Sequence, residues 1–401
     1  MRRSHLLVLA LACAVAVPAW AVQSCELNGQ HVNPDNGNET AGKTGLMRCR
    51  DGEGGPVVRE QELQGGVFKG AVRYFKDGQL EKEYRVNERG NRDGVAREYA
   101  RGDAGAKPVL VREETYRDGR TVGIARSWYA SGQLRRVSFA GDDGRELASA
   151  EFTADGKLYD LRCAPRPVLG ADADDARWCG HAGGPSNVVL YSSKGVAKAR
   201  VSYERGERRR NEVLGDGDAV REVQESSGSA GVERTFYGDG VKKREVQWVV
   251  ATGERAGRVV TIDQEFHESG KLVHERRWRL AEGGGSAELA SEQHWYLNGQ
   301  PKERVDFVVV EGRLQRQETS YHDYGCKAFE GTWRGPATTS SRGREIATGV
   351  HRSWDESGAL RAERFHDERG RVTRERAFDG AGVLVRDDEV FEDGSRKAFG
   401  R

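Results

Sequence analysis

The chain has 401 residues, of which 36% are hydrophobic and 32% are charged, and its formal net charge is +1. This composition is too polar for one thick hydrophobic core, and it favours a thin repeated sheet in which each unit buries a little surface against its neighbours. A net charge near zero gives no global attraction to nucleic acid or to anionic lipid, so we expect neither as a partner.

Residues 1–21 have the pattern of an export signal. Arg2 and Arg3 supply the positive start, residues 6–17 the apolar run, and residues 19–21 a small-x-small cleavage site. The run is too short for a permanent membrane anchor, and no later stretch approaches the roughly 18 apolar residues that a span requires. We therefore predict an exported product, periplasmic or secreted in a Gram-negative bacterium, without an integral membrane span.

The cysteines that follow the signal predict two disulfides. In an oxidising compartment, near-neighbour pairing joins Cys25 to Cys49 and Cys163 to Cys179, and it leaves Cys326 over. Spacing alone leaves this connectivity open.

The N-terminal segment bracketed by the first cysteine pair, residues 22–65, contains a literal match to the phosphate-binding loop at Gly37–Thr44. That motif binds phosphate only when a buried strand delivers the loop and a helix begins at its lysine. A turn sequence precedes the match, and Gly45–Cys49 behind it is too short for a helix. We interpret the stretch as a loop closed by the cysteine pair, and we predict no cofactor.

From residue 66 to residue 401, an aromatic residue recurs four positions before a glycine, which defines an internal repeat. In Tyr74–Tyr84, an aromatic strand enters Asp77-Gly78, the signal of a type I′ hairpin turn, and a second strand leaves the turn. The aromatic and turn positions recur as Tyr74/Gly78, Trp128/Gly132, Phe152/Gly156, Tyr191/Gly195, Phe236/Gly240, Phe266/Gly270, Trp295/Gly299 and Trp354/Gly358. We predict the same type I′ turn at Gly132, Gly156, Gly240, Gly270, Gly299 and Gly358.

The aromatic residues are predicted to form the repeat core, each ring stacking on the corresponding ring of the next hairpin. A carbohydrate- or ligand-stacking strip is the alternative interpretation. Tyr84 and Phe139 lie six and seven positions after their glycines, so some units must contain a bulge. The opposite face is dense in Arg and Glu; a solvated face is its simplest interpretation, and it is also where this chain would recognise another protein.

Four glycine- and polar-rich stretches interrupt the repeat, and we expect them to be loops that leave the edges of the sheet. These insertions lie near residues 163–186, 215–231, 281–288 and 335–348.

The pattern aromatic-aromatic-x-[Asp/Asn/Ser]-Gly-x-Leu, followed by Glu or Arg and a second aromatic, resembles the MORN repeat, in particular the bacterial variant grouped with YwqK-like antitoxins. The clearest matches are Tyr74–Asn91, Trp128–Leu147, Tyr191–Arg208, Phe266–Leu280, Trp295–Gly312 and Trp354–Val372. The resemblance implies an all-β fold, an elongated, curved single antiparallel sheet of stacked β-hairpins over residues 66–401. It also implies binding: bacterial members are often classed as antitoxins or immunity proteins, and other MORN proteins act as scaffolds.

We therefore expect an exported, non-catalytic protein-binding repeat protein of the antitoxin or immunity type, whose partner is a toxin or an envelope protein. The alternative is an envelope scaffold that forms oligomers by pairing its exposed edge strands.

Enzymatic activity is not expected. The histidines lack zinc-protease spacing, and no G-x-S-x-G elbow is present. Cys163, Cys179 and His181 would give three zinc ligands without a C-x-x-C pair, so we predict no metal site. His322 and Cys326 share one hairpin tip, which orients a catalytic base poorly.

Overall fold

The computed structural model describes residues 23–102, 106–251, 257–280, 287–335 and 345–398. These residues form antiparallel β-hairpins almost throughout, with two helices of four residues each. The predicted all-β class and the stacking of hairpins are confirmed. The export signal, residues 1–21, lies outside the described residues.

The chain divides into two compact units, and the first comprises the described residues up to Gly156 together with Val168–Ala173. Its elements are β1 Gln23–Leu27, β2 Gln30–Val32, α1 Gly37–Thr40, β3 Gly45–Asp51, β4 Val57–Gln64, β5 Val67–Lys76, β6 Gln79–Val86, β7 Gly94–Ala100, β8 Val109–Arg117, β9 Arg120–Thr121, β10 Gly123–Trp128, β11 Leu134–Ala140, β12 Glu146–Phe152 and a 3₁₀ turn at Gly170–Asp172. In the first sheet the strand order is β2-β1-β3-β4-β5-β6-β7-β8-β10-β11-β12, and β9 pairs with β8 beside this path.

The second unit comprises Lys157–Pro167 and the described residues from Asp174 onward. Its elements are β13 Leu158–Arg162, α2 Asp175–Trp178, β14 Val188–Tyr191, β15 Ala197–Glu204, β16 Glu207–Leu214, a 3₁₀ turn at Asp216–Asp218, β17 Val220–Ser226, β18 Ala230–Phe236, β19 Lys242–Ala251, β20 Gly257–Phe266, β21 Leu272–Leu280, β22 Ala287–Trp295, β23 Pro301–Val310, β24 Arg313–Tyr321, β25 Lys327–Arg334, β26 Ile346–Trp354, β27 Leu360–His366, β28 Val372–Phe378, β29 Leu384–Val390 and β30 Arg396–Ala398. Strands β14 to β30 lie side by side in sequence order and form the second sheet.

The strands form two sheets where the sequence predicted one. The segment between β13 and β14 contains Pro165, Pro167 and Pro185, which lack the N–H donor that a continuous ladder needs. The same segment is closed by the Cys163–Cys179 disulfide, so it forms a compact loop instead of further hairpins.

The predicted boundary between residues 65 and 66 is a hairpin turn inside the first sheet. Gly65 and Gly66 both have positive φ, 62° and 88°, and they join β4 to β5. The N-terminal segment therefore belongs to the first sheet, and Phe68 packs against its core. That core consists of Cys25, Leu27, Val32, Met47, Cys49 and Leu63.

The hairpin turns are of two kinds, and the prediction of type I′ throughout is wrong. At Asp77-Gly78 both residues have positive φ, 50° and 76°, as a type I′ turn demands. At the other predicted turns only the glycine does: Gly132, Gly156, Gly240, Gly270, Gly299 and Gly358. Their loops are longer, as where Asp355 N donates to Ala359 O at 3.0 Å. The Asp355 carboxylate also accepts from Ala359 N at 3.0 Å, which stabilises the longer loop.

A bulge follows the turn in these longer hairpins. Trp354 pairs with Leu360, whereas Ser353 pairs with Ala362, so Arg361 is the extra residue. Equivalent register shifts precede Trp128, Tyr191, Phe236, Phe266, Trp295 and Phe378. The bulge shifts the alternation of side chains by one residue and so decides which charged residues face each other.

One predicted insertion is wrong, because residues 215–231 contain strand β17. Val223 on this strand is 4% exposed, and β17 pairs with both β16 and β18. Most of the glycine and serine residues that suggested a loop lie in the two turns that flank the strand, whereas Ser226 ends β17 and Gly231 belongs to β18. Residues 281–286 and 336–344 of two other predicted insertions lie outside the described residues.

No helix in the described part of the chain is both long enough and apolar enough to cross a membrane.

Candidate interaction surface

A row of alternating acidic and basic residues crosses the first sheet perpendicular to its strands. Each residue of this first charge row is directly opposite the next: Glu26, Arg48, Glu60, Arg73, Glu83, Arg97, Glu113 and Arg126. Directly opposed residues of an antiparallel pair lie on the same face, roughly 5 Å apart at Cβ. Each internal member therefore lies between two residues of opposite charge.

Ion pairs form along this first charge row. Arg48 Nε lies 3.0 Å from Glu60 Oε1, and Arg97 Nε lies 2.8 Å from Glu113 Oε2. The hydrogen bond to Glu113 raises the pKa of Arg97. Tyr99 donates its hydroxyl to Glu83 at 2.8 Å, and burial together with this hydrogen bond raises the pKa of Tyr99 to about 12.

A longer polar row crosses the second sheet. The second charge row, again with each residue directly opposite the next, consists of Arg200, Glu212, Val223, Arg234, Glu245, Gln264, Glu275, Gln293, Arg304, Thr319, Glu330, Arg352, Glu363, Arg376 and Asp387. Valine, glutamine and threonine interrupt the charges, but the row is continuous across the strands.

Arg352 shows how this second charge row is held together. Its Nε donates to Glu363 Oε1 and its Nη1 donates to Glu330 Oε1, both at 2.9 Å. Glu363 also accepts from Arg376 Nη1 at 3.3 Å. One guanidinium therefore bridges the carboxylates of the strands on either side of it, and Arg376, two strands further on, repeats the arrangement between Glu363 and Asp387.

Glu245, the fifth residue of the second charge row, has a strongly lowered pKa. Burial alone would raise its pKa, but hydrogen bonds from Gln247, Lys242 and Arg234 outweigh burial and lower the pKa to about 2. The carboxylate is therefore ionised throughout the neutral range.

The other face of the second sheet also carries paired charges. Asp263 is 5% exposed and accepts two hydrogen bonds from Arg244, both at 2.8 Å, and one from Arg276 at 3.2 Å. The hydrogen bonds from Arg244 are the main reason that the pKa of Asp263 is lowered. Glu375 likewise lies 3.1 Å from Arg364 Nε and 2.8 Å from Arg396 Nη2.

In ion pairs on both faces of the second sheet, the carboxylate is sheltered and the guanidinium group faces solvent. The side chain of Glu275 is 10% exposed, whereas that of its partner Arg277 is 53% exposed. For Glu375 and Arg364 the exposed fractions are 12% and 63%. Both faces of the second sheet therefore present oriented arginine donors above buried carboxylates.

The structure places the predicted repeat-core rings at strand ends, and all of them are half-buried: Tyr74, Trp128, Phe152, Tyr191, Phe236, Phe266, Trp295 and Trp354. Tyr74 stacks on Tyr84 with ring centroids 6.3 Å apart. Phe266 and Trp354 instead lie under lysine ammonium groups of the preceding hairpin, Lys242 at 4.1 Å and Lys327 at 5.5 Å.

The predicted disulfides Cys25–Cys49 and Cys163–Cys179 are both present, and Cys326 is a half-buried free thiol. His322 Nε2 lies 3.2 Å from the carbonyl oxygen of Trp354, so this ring nitrogen is directed at backbone.

The stretch that matches a phosphate-binding loop begins with the single helical turn α1, which ends at Thr40, before Lys43. The carbonyl oxygen of Lys43 accepts from Gly66 N at 2.8 Å. The helix that a phosphate site needs after the lysine is replaced here by strand β3.

A cleft of about 590 Å³ lies beside the Cys163–Cys179 loop in the second unit. Leu158, Arg177, Trp178 and Tyr191 are among its lining residues, and none of the described lining residues is a histidine, a cysteine or an acid.

The sequence matches no protein-family model and no curated protein. The chain is similar to the crystal structure of TcdB2-TccC3 without its hypervariable C-terminal region, at 12% identity and a TM-score of 0.18, over 93% of this chain and 19% of that one. It is also similar to TcdB2-TccC3 itself, at 14% identity and a TM-score of 0.17, over 93% and 20%. The chain thus spans about a fifth of the length of these structures.

Proposed function

We propose that this chain is an exported, non-catalytic repeat protein that binds a protein partner with an acidic surface through one face of its second sheet. The observation that carries the proposal is the exposure of guanidinium groups such as those of Arg277 and Arg304, 53% and 55%, beside sheltered or partly sheltered carboxylates. Arginine side chains already held by ion pairs lose little further entropy when they contact the carboxylates of a partner.

The specific form of the proposal is an antitoxin or immunity-type protein whose partner is a toxin or another envelope protein. The MORN-like sequence pattern supports this form. The export signal at residues 1–21 and the two disulfides support a periplasmic or secreted location, because disulfides persist in oxidising compartments.

The test starts from a photo-crosslinking residue on the face that contains the second charge row. The crosslinked partner is identified, purified and titrated against the mature chain. We expect a stoichiometric complex whose association rate falls steeply between 0.05 and 0.5 M salt, values on the order of those over which screening becomes strong.

Two neutralising substitutions locate the binding face. Arg277→Gln with Arg304→Gln removes exposed guanidinium groups from the face of the second charge row, and we expect binding about tenfold weaker or more. Arg364→Gln removes a guanidinium of similar exposure, 63%, from the opposite face and is the matched control. Equal weakening by both changes, or the absence of a stoichiometric partner, would contradict the proposal.

Self-association as an envelope scaffold is the second candidate, and one observation favours it. Apolar side chains are exposed beside the last strands of the second sheet: Val383, Leu384, Val385 and Phe391. An exposed sheet edge with apolar neighbours can pair with another copy. Sedimentation should then show oligomers that Val385→Lys dissociates, whereas a strict monomer at high concentration would exclude this candidate.

A further inference from the structure

We propose that His274, Glu292 and His294 form a binding site for a divalent transition-metal ion, and that zinc is the ion that suits it best. The three residues lie on one face of the neighbouring strands β21 and β22, apart from the residues of the second charge row. Their ligand atoms all lie within 4.8 Å of one another.

Strand pairing brings these residues together. Glu292 and His294 are two positions apart on β22 and therefore share a face. His274 on β21 is directly opposite His294. The site thus takes two ligands from one strand and a third from its antiparallel neighbour, so the sheet ladder fixes the separation of all three backbones.

The distances between ligand atoms suit a small cation. His274 Nε2 lies 2.7 Å from Glu292 Oε1, and His294 Nε2 lies 3.6 Å from the same oxygen. Ligand atoms bound about 2.0–2.2 Å from a tetrahedral zinc ion are separated by about 3.3 Å, between these two values. A metal ion must lie in the plane of each imidazole that binds it. The two rings are stacked, with centroids 4.2 Å apart and planes at 7°, so binding requires that they tilt toward each other.

The donor set selects the class of metal. Two imidazoles and one carboxylate suit zinc and its neighbours, whereas calcium and magnesium prefer oxygen ligands alone. The side chains of His294 and Glu292 are 37% and 31% exposed, so solvent reaches the site and water can complete the coordination.

Carboxylates lie on the outer side of each histidine. Glu265 on β20 is directly opposite His274, and Glu303 on β23 is directly opposite His294. Glu265 Oε1 lies 4.0 Å from His274 Nδ1, the ring nitrogen that faces away from Glu292. When His274 binds a metal through Nε2, its Nδ1 carries the proton, and a movement of about 1 Å lets Glu265 accept it; such a hydrogen bond orients the ring in many zinc proteins.

Arg276 is the positively charged residue directly opposite Glu292 on β21. Its Nη2 lies 3.2 Å from Asp263 and 4.0 Å from Glu265. These carboxylates hold the guanidinium, so the contact of Glu292 that a metal has to replace is its 2.7 Å hydrogen bond with His274 Nε2.

The site is tested by titrating Zn²⁺ into the untagged mature chain, in a Cys326→Ser background that removes the free thiol as a competing ligand. We expect one equivalent to bind, and Co²⁺ in its place to give the visible absorption of a four-coordinate site. Glu292→Gln, a change of nearly constant shape, and His294→Ala should each weaken binding about 100-fold or more. Glu265→Gln should weaken it about 10- to 100-fold.

His267→Ala is the matched control, because His267 lies in the exposed turn between β20 and β21 and contacts Ser269. This change should leave metal affinity unaltered. The proposal is overturned if no equivalent of zinc binds, or if Glu292→Gln and His294→Ala bind zinc as tightly as the parent. Because Glu292→Gln keeps the shape of the side chain, misfolding of a histidine variant does not decide the outcome.

Discussion

The N-terminal hairpins of the first sheet, β1 to β4, and the later strands of the second sheet, β19 to β29, share the hairpin design but bury different chemistry. In β1 to β4 most of the buried residues are apolar, with Leu63 and Met47 at 1% and 0% exposure; Gln61 is the polar exception, and a disulfide joins β1 to β3. In β19 to β29 several of the buried residues are carboxylates: Glu245, Asp263, Glu275, Glu363 and Glu375. Similar backbones therefore enclose mainly apolar side chains in one region and several arginine-paired carboxylates in the other.

The difference has consequences because the two kinds of stabilisation respond to different conditions. Apolar burial contributes about 25 cal/mol per Å² and is insensitive to pH. A buried carboxylate contributes only while it is ionised and its arginine partners remain in place. The stability of the two regions should therefore respond differently to acid, to substitution and to salt.

Acid should produce the largest effect, because it protonates Glu245, Asp263 and Glu275, whose pKa values are all lowered in the folded chain. The folded pKa of Glu245 is about 2, below its ordinary value of 4.5, and the pKa of Asp263 is lowered as well. A lowered folded pKa contributes stability that is present above the unfolded pKa and lost as pH falls toward the folded pKa. We expect β19 to β29 to lose amide protection between pH 4.5 and about 2, while β1 to β4 keep theirs. Hydrogen exchange, corrected for intrinsic rates, measures both regions; earlier loss in β1 to β4 would reverse the comparison.

Leu63→Ala should destabilise the apolar region by about 2–5 kcal/mol, because it leaves a cavity at a side chain that is 1% exposed. The free energy of unfolding in urea, followed through the amides of β3 and β4, measures the loss. Leu384→Ala, at a leucine that is 45% exposed, is the control and should change stability by about 0.5 kcal/mol or less. A similar loss for both leucines would show that the apolar cluster does not stabilise these hairpins.

Much of the fold follows from the sequence, since turn glycines, aromatic spacing and cysteine pairs are local signals. The pairing of charges does not follow from simple alternation, because the bulge after each longer turn shifts the strand by one residue. Once the bulge is known, a spacing rule emerges. Arg352 lies two positions before Trp354, Glu363 lies five after Gly358, and these two charges are opposed.

Two other features could not be predicted from the sequence, each for a different physical reason. Ring burial depends on what lies on the neighbouring hairpin, and Lys242 beside Phe266 replaces the aromatic ring that was expected there. The His274, Glu292 and His294 cluster depends on the register of β21 and β22, which no linear spacing encodes. A search for metal motifs along the chain therefore misses it.

Glu363→Gln should have a smaller effect than Leu63→Ala, about 1–2 kcal/mol. The change keeps the shape of the side chain but removes the charge that binds Arg352 and Arg376, whose side chains are 39% and 30% exposed and so partly screened by water. Thermal unfolding of the second unit measures it. Glu368→Gln, in an exposed turn, is the control; an equal shift from both substitutions would mean that the ion pairs add nothing.

Salt should have the smallest effect, a change of a few tenths of a kcal/mol in the free energy of unfolding for each ion pair. Raising NaCl from about 0.1 to 1 M shortens the Debye length from about 10 to 3 Å, so pairs between half-exposed arginines and carboxylates weaken. Salt also strengthens apolar burial to some extent in both units, so the raw shift in melting temperature mixes two causes. The Glu363→Gln variant separates the screening of ion pairs from the effect on apolar burial, because it has the same apolar surface as the parent but lacks two ion pairs. Its second unit should therefore lose less stability than that of the parent for each tenfold increase in salt. Calorimetry of both proteins across the salt range gives the dependence of stability on salt concentration for each. The same dependence in both would mean that packing of the arginine stems, and not charge, stabilises the second charge row.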